Sequence, residues 1–231
     1  MKAANQLVIN KVEFLKTMPL FLDLGPKTLK GFASSCISCS FKKGEIIYSE
    51  GQEPKFIYMF KSGKIMFFTN TPSGKTIIAN IISTATFCGI TNLSIDDPYW
   101  TSAKALENIN GLRVRRYDFI NLINHNHKIA WELIKLLEIS LRSGFNRYIS
   151  ALTTSSEQRV LDMLYDLSNK FGLSVPLNDE EIAFLTGTTR ETTTRAISRL
   201  KMKGIVKKYR GRLQVLDPIS LYNLKQYYPV I

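Results

Sequence analysis

The stretch from Ile37 to Tyr117 limits what this chain can fold into more than any other. It is a series of short runs rich in β-branched and aromatic residues: Glu45–Ser49, Phe56–Lys61, Lys64–Asn70 and Lys75–Ile82. Gly44, Gly51, Gly63 and Gly74 separate them at spacings of 7, 12 and 11 residues. Short strands with turn signals at that interval predict a β-sandwich or barrel rather than a parallel sheet. Ser102–Leu106 and Gly111–Tyr117 supply its last strands. Pro26 opens a short helix ahead of it over residues 27–34, with Leu29, Phe32 and Ala33 on the apolar side.

From Asp118 the texture becomes helical. Ala130, Ile134, Leu137, Leu141, Gly144, Tyr148 and Ala151 alternate in steps of 4 and 3, the seam of a coiled coil held for three heptads. Ala130, Ile134, Leu137, Leu141, Gly144 and Tyr148 are therefore expected at a dimer interface. The alternative is a helix packed on its own domain. A second helix begins at Ser155 or Ser156, with Glu157 in its first turn and Val160, Leu161, Leu164 and Leu167 facing inward. It ends at Gly172, so Ala151–Ser156 is the expected hinge. Next come a strand (Leu173–Leu177), a helix opened by Asn178 and Asp179-Glu180-Glu181, a turn at Gly187, and a helix from Thr189 to Lys203. Strands Ile205–Tyr209 and Leu213–Leu216 follow, joined at Arg210-Gly211. Helix, glycine turn, helix and hairpin make a winged helix-turn-helix. The chain reads as α+β in three parts: residues 1–124, 125–153 and 154–231.

Charge points to a partner. The chain carries 31 Lys and Arg against 19 Asp and Glu, a net of +12, which suits a polyanion such as nucleic acid or an anionic membrane surface. Arg190 to Arg212 concentrates nine basic residues against Glu191 alone. A membrane-surface module would need those residues on one amphipathic helix, whereas they straddle a helix and a hairpin. A spanning helix is excluded by the lack of an apolar run near 18 residues. Met1–Val12 lacks the pattern of a signal peptide, and three cysteines make no disulfide framework, so a cytoplasmic protein is expected. Enzyme motifs such as a nucleotide-cradling glycine loop, H-E-x-x-H or G-x-S-x-G are missing, and two histidines offer little general-base capacity, so no catalytic residue is assigned.

The segment Thr189-Arg190-Glu191-Thr192-Thr193-Thr194-Arg195-Ala196-Ile197-Ser198-Arg199-Leu200 is the most informative. Ala196, Ile197 and Leu200 form its apolar face, and the N-terminal face opposite presents Thr189, Arg190, Glu191, Thr194 and Arg195. A recognition helix meets base edges with such residues: arginine with guanine O6 and N7, glutamate with cytosine N4, threonine with the thymine methyl. Lys207, Lys208 and Arg210 of the hairpin are placed to lie on phosphates. The competing reading is a solvent face carrying an intrahelical Glu191–Arg195 pair.

The combination Glu181-Ile182-Ala183, Gly187, Thr189-Arg190-Glu191-Thr192 and Arg195 resembles the helix-turn-helix signature of the cyclic-AMP receptor protein (CRP/FNR) family of bacterial transcription regulators. Phe41-Lys42-Lys43-Gly44-Glu45-Ile46-Ile47, Glu50-Gly51 and Ile57-Tyr58-Met59-Phe60-Lys61-Ser62-Gly63-Lys64 are similar to that family's β-roll. The likeness covers roughly residues 18–225. It implies an N-terminal β-roll sensor, a long dimerisation helix and a winged helix-turn-helix. It also implies a homodimer on palindromic double-stranded DNA, acting as an activator with RNA polymerase as a further partner. Arg190, Glu191 and Arg195 fall on the family's base-reading positions, and arginine at the first resembles the subgroup that reads TGTGA-type half-sites.

The effector site departs from the family pattern. Where cyclic-nucleotide binders carry a glutamate for the ribose and an arginine for the phosphate, this chain has Ile90 and Trp100, which argues against cyclic AMP. The expected pocket is apolar and aromatic, from Phe68, Phe87, Cys88, Ile90, Tyr99, Trp100 and Thr101 with Gly144 and Phe145 of the long helix. It suits a flat organic effector or haem, unless the roll is simply packed. A haem- or thiol-based gas or redox sensor is the alternative mechanism, with His125 or His127 as axial ligand and Cys36, Cys39 and Cys88 as thiols. An iron–sulfur cluster would need a fourth cysteine, and no metal site is assigned.

Overall fold

The computed structural model describes residues 11–74, 76–82, 85–93 and 97–225. The chain divides into two compact units, the first ending at Ser140 and the second beginning at Leu141.

In the first unit, helical residues 11–16 and a 3₁₀ turn at Pro19–Phe21 precede α1 (Pro26–Ser35). Eight strands follow: β1 (Ile37–Phe41), β2 (Ile46–Tyr48), β3 (Phe56–Phe60), β4 (Ile65–Asn70), β5 (Thr76–Ile82), β6 (Thr86–Cys88), β7 (Ser102–Ala105) and β8 (Ile109–Arg115). They form two antiparallel four-stranded sheets, ordered β1-β8-β3-β6 and β2-β7-β4-β5. This is the expected roll. Strands β1 and β6 add to the runs named above, and Lys75, expected to open β5, lies outside the described residues.

Strand β3 shows why the fold closes this way. Its sequence FIYMF is apolar throughout, because both faces are covered. Ile57 and Met59 join Phe21, Phe32, Leu112, Val114 and Phe119 in a core under the helices. Tyr58 and Phe60 face the other way, into an interior shared with Tyr48, Ile65, Cys88, Tyr99, Ala103 and Ala105 of both sheets. Gly111 on β8 is required by close approach: a Cβ there would stand 2.2 Å from the Met59 carbonyl.

Helices α2 (Arg116–Asn124) and α3 (His127–Thr153) come next, with a break at His125-Asn126. The second unit holds α4 (Ser156–Phe171), β9 (Ser174–Val175), α5 (Asp179–Thr186), α6 (Arg190–Met202), β10 (Val206–Tyr209), β11 (Arg212–Val215) and α7 (Pro218–Leu224). Ser155 caps α4 as expected, accepting from the Gln158 amide. The sheet order β10-β11-β9 adds a third strand to the hairpin. Val160, Leu164, Ile182, Ala196, Ile197, Leu200, Leu213 and Val215 are buried, so the three helices and the hairpin share one core.

Candidate nucleic-acid interface and sensor roll

The helix-turn-helix is fixed at both ends of its turn. Asn178 and Glu181 form a reciprocal capping box at the start of α5, with bonds of 3.0 and 2.8 Å. Gly187 ends α5 at φ 60°, the left-handed conformation that glycine adopts without penalty. Thr189 caps α6 by accepting from the Thr192 amide at 3.2 Å. Arg159, reaching across from α4, donates to the carbonyls of Thr186 (2.8 Å), Thr154 (2.9 Å) and Gly187 (3.4 Å) and to the Ser156 hydroxyl. One guanidinium thus binds the carbonyls at the end of α5 and neutralises its negative pole.

Orientation of α6 follows from its buried face. Thr193, Ala196, Ile197 and Leu200 are buried, while Arg190, Glu191, Thr194 and Arg195 are exposed. The three consecutive threonines have separate roles. Thr192 receives bonds from Thr189 and Arg195, Thr193 fills the core, and Thr194 donates to Asp179 at 2.8 Å. Arg195 bonds Thr192, and Glu191 forms no ion pair among the described residues, so the intrahelical Glu191–Arg195 pair does not form. In the hairpin, Lys207, Lys208 and Arg210 are exposed, and Lys207 and Arg212 flank the Tyr209 ring at 5.4 and 5.0 Å. Lys208 is ion-paired with Asp179, whose side chain is 7% exposed. Arg199 pairs with Glu157 of α4. A groove of about 300 Å³ runs between the start of α5 and the hairpin, lined by Asn178, Asp179, Arg190, Lys208, Tyr209 and Arg212 among others.

The roll interior is filled by aromatic side chains. Tyr48 stacks on Tyr99 with ring centroids 3.9 Å apart, and Tyr58 and Phe60 continue the row. Tyr99 donates to the Phe56 carbonyl at 2.8 Å. The Tyr48 phenol lies beside Thr101 and Gly89, and burial pushes it well above the ordinary tyrosine range. Beyond β6 the chain is pinned by Arg116, which donates to the carbonyls of Asn92 and Leu93 at 2.9 Å each, and by Asn92, which donates to those of Asp97 and Pro98.

Two family models match the chain: a cyclic nucleotide-binding domain over residues 38–126 and a Crp-like helix-turn-helix domain over residues 158–224. The cyclic AMP receptor protein of Thermus thermophilus is 26% identical, over 91% of this chain and 98% of its own. The transcriptional activator protein Anr of Pseudomonas aeruginosa is 22% identical, over 79% and 78%. The solved structure of FixK2 from Bradyrhizobium japonicum matches with a TM-score of 0.76 at 19% identity, covering 84% of this chain and 98% of that one. The chain belongs to the CRP/FNR family. It is a DNA-binding transcription regulator with a sensor domain of the cyclic-nucleotide-binding type, in a family of regulators rather than enzymes.

Within the roll, this CRP/FNR chain divides its expected effector residues between two cores. Successive strand residues face opposite sides, so Phe87 joins the helical core, with Ile90 packed against it, while Cys88 faces the roll interior with Tyr99. Thr101 is buried against Tyr48, but Trp100 is 59% exposed and donates to Thr91. Alternation along β4 from the buried Ile65 turns Phe67, not Phe68, toward the interior. Gly144 and Phe145 belong to the second unit, the first half-buried and the second exposed. Cys36, at the end of α1, packs in the helical core and Cys39 of β1 against the roll interior, and burial raises their thiols to about 12 and about 11. His125 and His127 are exposed, His125 bonding the Asn121 carbonyl. No group of three metal-ligating side chains occurs among the described residues, and no helix among them is long and apolar enough to cross a membrane.

The seam of α3 is also redistributed. Leu137 packs against the first unit's core and Ala130 is half-buried. Ile134, Leu141 and Tyr148 stay exposed, joined by Trp131, Phe145 and Leu152 at spacings of three and four or their sum. Hydrophobic spacing alone had not distinguished these adjacent stripes. Arg159, Asp179, Tyr48 and Arg116 were missed as well, because an internal polar contact between distant segments has no periodic signature in sequence.

Proposed function

We propose that this regulator works in the cytoplasm as a homodimer, its two α6 helices entering successive major grooves of a palindromic operator with TGTGA-type half-sites about one helical turn apart. Arg190, Glu191 and Arg195 read base edges, and Lys207 and Arg210 lie on phosphates. The observation that carries this reading is the exposure of those three α6 side chains at the N-terminal end of a helix whose opposite face is buried. Dimerisation through Trp131, Ile134, Leu141, Phe145, Tyr148 and Leu152 is supported by their exposure as one apolar stripe on α3. Activation through RNA polymerase agrees with the activator function named for the Pseudomonas relative.

Control comes from the roll, through an effector other than cyclic AMP. Ile90 offers no acceptor for a ribose, and Trp100 offers no charge for a phosphate. Tyr48 is stacked on Tyr99 in the roll interior.

Fluorescence anisotropy on a duplex with paired TGTGA half-sites tests the interface. Arg190→Ala should lose about 1–3 kcal/mol of binding, concentrated on the specific site. Wild-type affinity in that variant would refute the base-reading role. Sedimentation of Leu141→Lys should give monomers, and calorimetric titration with cyclic AMP should give no saturable heat.

A further inference from the structure

Asp179 is a carboxylate in the middle of a basic face. It sits at the first position of α5, nearly buried, and its Oδ2 accepts from both the Thr194 hydroxyl of α6 and the Lys208 ammonium of β10. Helix α5, the recognition helix and the hairpin therefore meet at one oxygen. Of the nine basic residues between Arg190 and Arg212, Lys208 is neutralised by Asp179 and Arg199 by Glu157. The other seven have no carboxylate partner among the described residues. Lys207 and Lys208 are adjacent in sequence and chemically identical, yet only Lys207 is without an acid.

We propose that Asp179 is a specificity-determining residue: it withholds Lys208 from phosphate, lowering affinity for DNA of any sequence, and orients the α6 face through Thr194. This rests on the DNA-binding reading above. Phosphate contacts add affinity without sequence information. A cation held by an internal acid therefore lowers the background against which Arg190 and Arg195 discriminate. The acid is buried and also holds Thr194, so a phosphate reaching Lys208 must displace a geometrically fixed partner.

The test measures anisotropy of the full-length protein with a labelled duplex of mixed sequence lacking TGTGA half-sites, from 50 to 200 mM salt. Asp179→Asn retains an oxygen for Thr194 and removes the charge. It should bind this duplex more tightly and steepen the slope of log K against log salt by about 0.9, the value for one further phosphate contact. Lys207→Gln should flatten the wild-type slope by a similar amount. Lys208→Gln should barely change it, but should abolish the gain in the Asp179→Asn background. Thermal melts of each variant verify that the fold is retained. An unchanged slope in folded Asp179→Asn, or a flattening by Lys208→Gln equal to that of Lys207→Gln, would overturn the proposal. Wild-type protein that bound neither this duplex nor the palindromic one would overturn the DNA-binding reading instead. Should Asp179→Asn unfold, the comparison of Lys207→Gln with Lys208→Gln decides the matter alone.

Discussion

The roll and the winged helix-turn-helix treat their polar side chains in opposite ways. In the second unit, half-buried Arg159 binds the turn and nearly buried Asp179 joins three elements, while the basic residues from Arg190 to Arg212 are exposed. In the roll, Tyr99 turns its hydroxyl onto the Phe56 carbonyl, and the interior is closed by stacked rings. One unit keeps its hydrogen-bonding groups for an external polyanion. The other has satisfied many of its own internally. The second unit thus presents an outward basic face, whereas the roll interior is closed by aromatic packing.

The strongest challenge to that contrast is to remove a ring from the roll. Tyr99→Ala should cost about 3–5 kcal/mol of unfolding free energy, as for other buried aromatics, measured by denaturant titration. A loss below about 1 kcal/mol would mean that the interior is loosely packed and open to a ligand. On the other side, Arg159→Ala should destabilise the second unit by about 2–3 kcal/mol, because it leaves the carbonyls of Thr186 and Gly187 without their charged donor. DNA binding should fall with it. Arg199→Gln breaks a half-exposed pair and should stay within about 1 kcal/mol in the same denaturant titration.

The thiols provide a pH-dependent check on burial. Desolvation raises Cys39 to about 11, only partly offset by Arg113. The nucleophile is the thiolate, and a raised value keeps the group protonated through neutral pH. Alkylation of Cys39 by iodoacetamide should therefore be slow at pH 8 and rise about tenfold per pH unit toward 11. Rapid labelling at neutral pH would revive the thiol-based sensor.

Much of the fold was legible because its signals are local. Glycine-spaced β runs marked the roll. Ser155, Asn178 and Thr189 announced helix starts through capping chemistry, and the apolar triplet Ala196, Ile197 and Leu200 fixed which way α6 faces. Strand β6 was harder: three residues, Thr86–Cys88, are too short to show a period, and its pairing with β3 is set by non-local hydrogen bonds.

The sequence by itself determined the order of elements and the recognition helix with its outward residues. Each is a matter of residue type at a local spacing, which backbone geometry converts directly into a face. Only the tertiary structure decided that Phe87 and Cys88 part company, that Leu137 packs on its own unit while Leu141 does not, and that Lys208 but not Lys207 has a carboxylate partner. Those outcomes depend on which distant segment packs against a given side chain, and hydrophobic burial and ion pairing act through space whatever the separation along the chain.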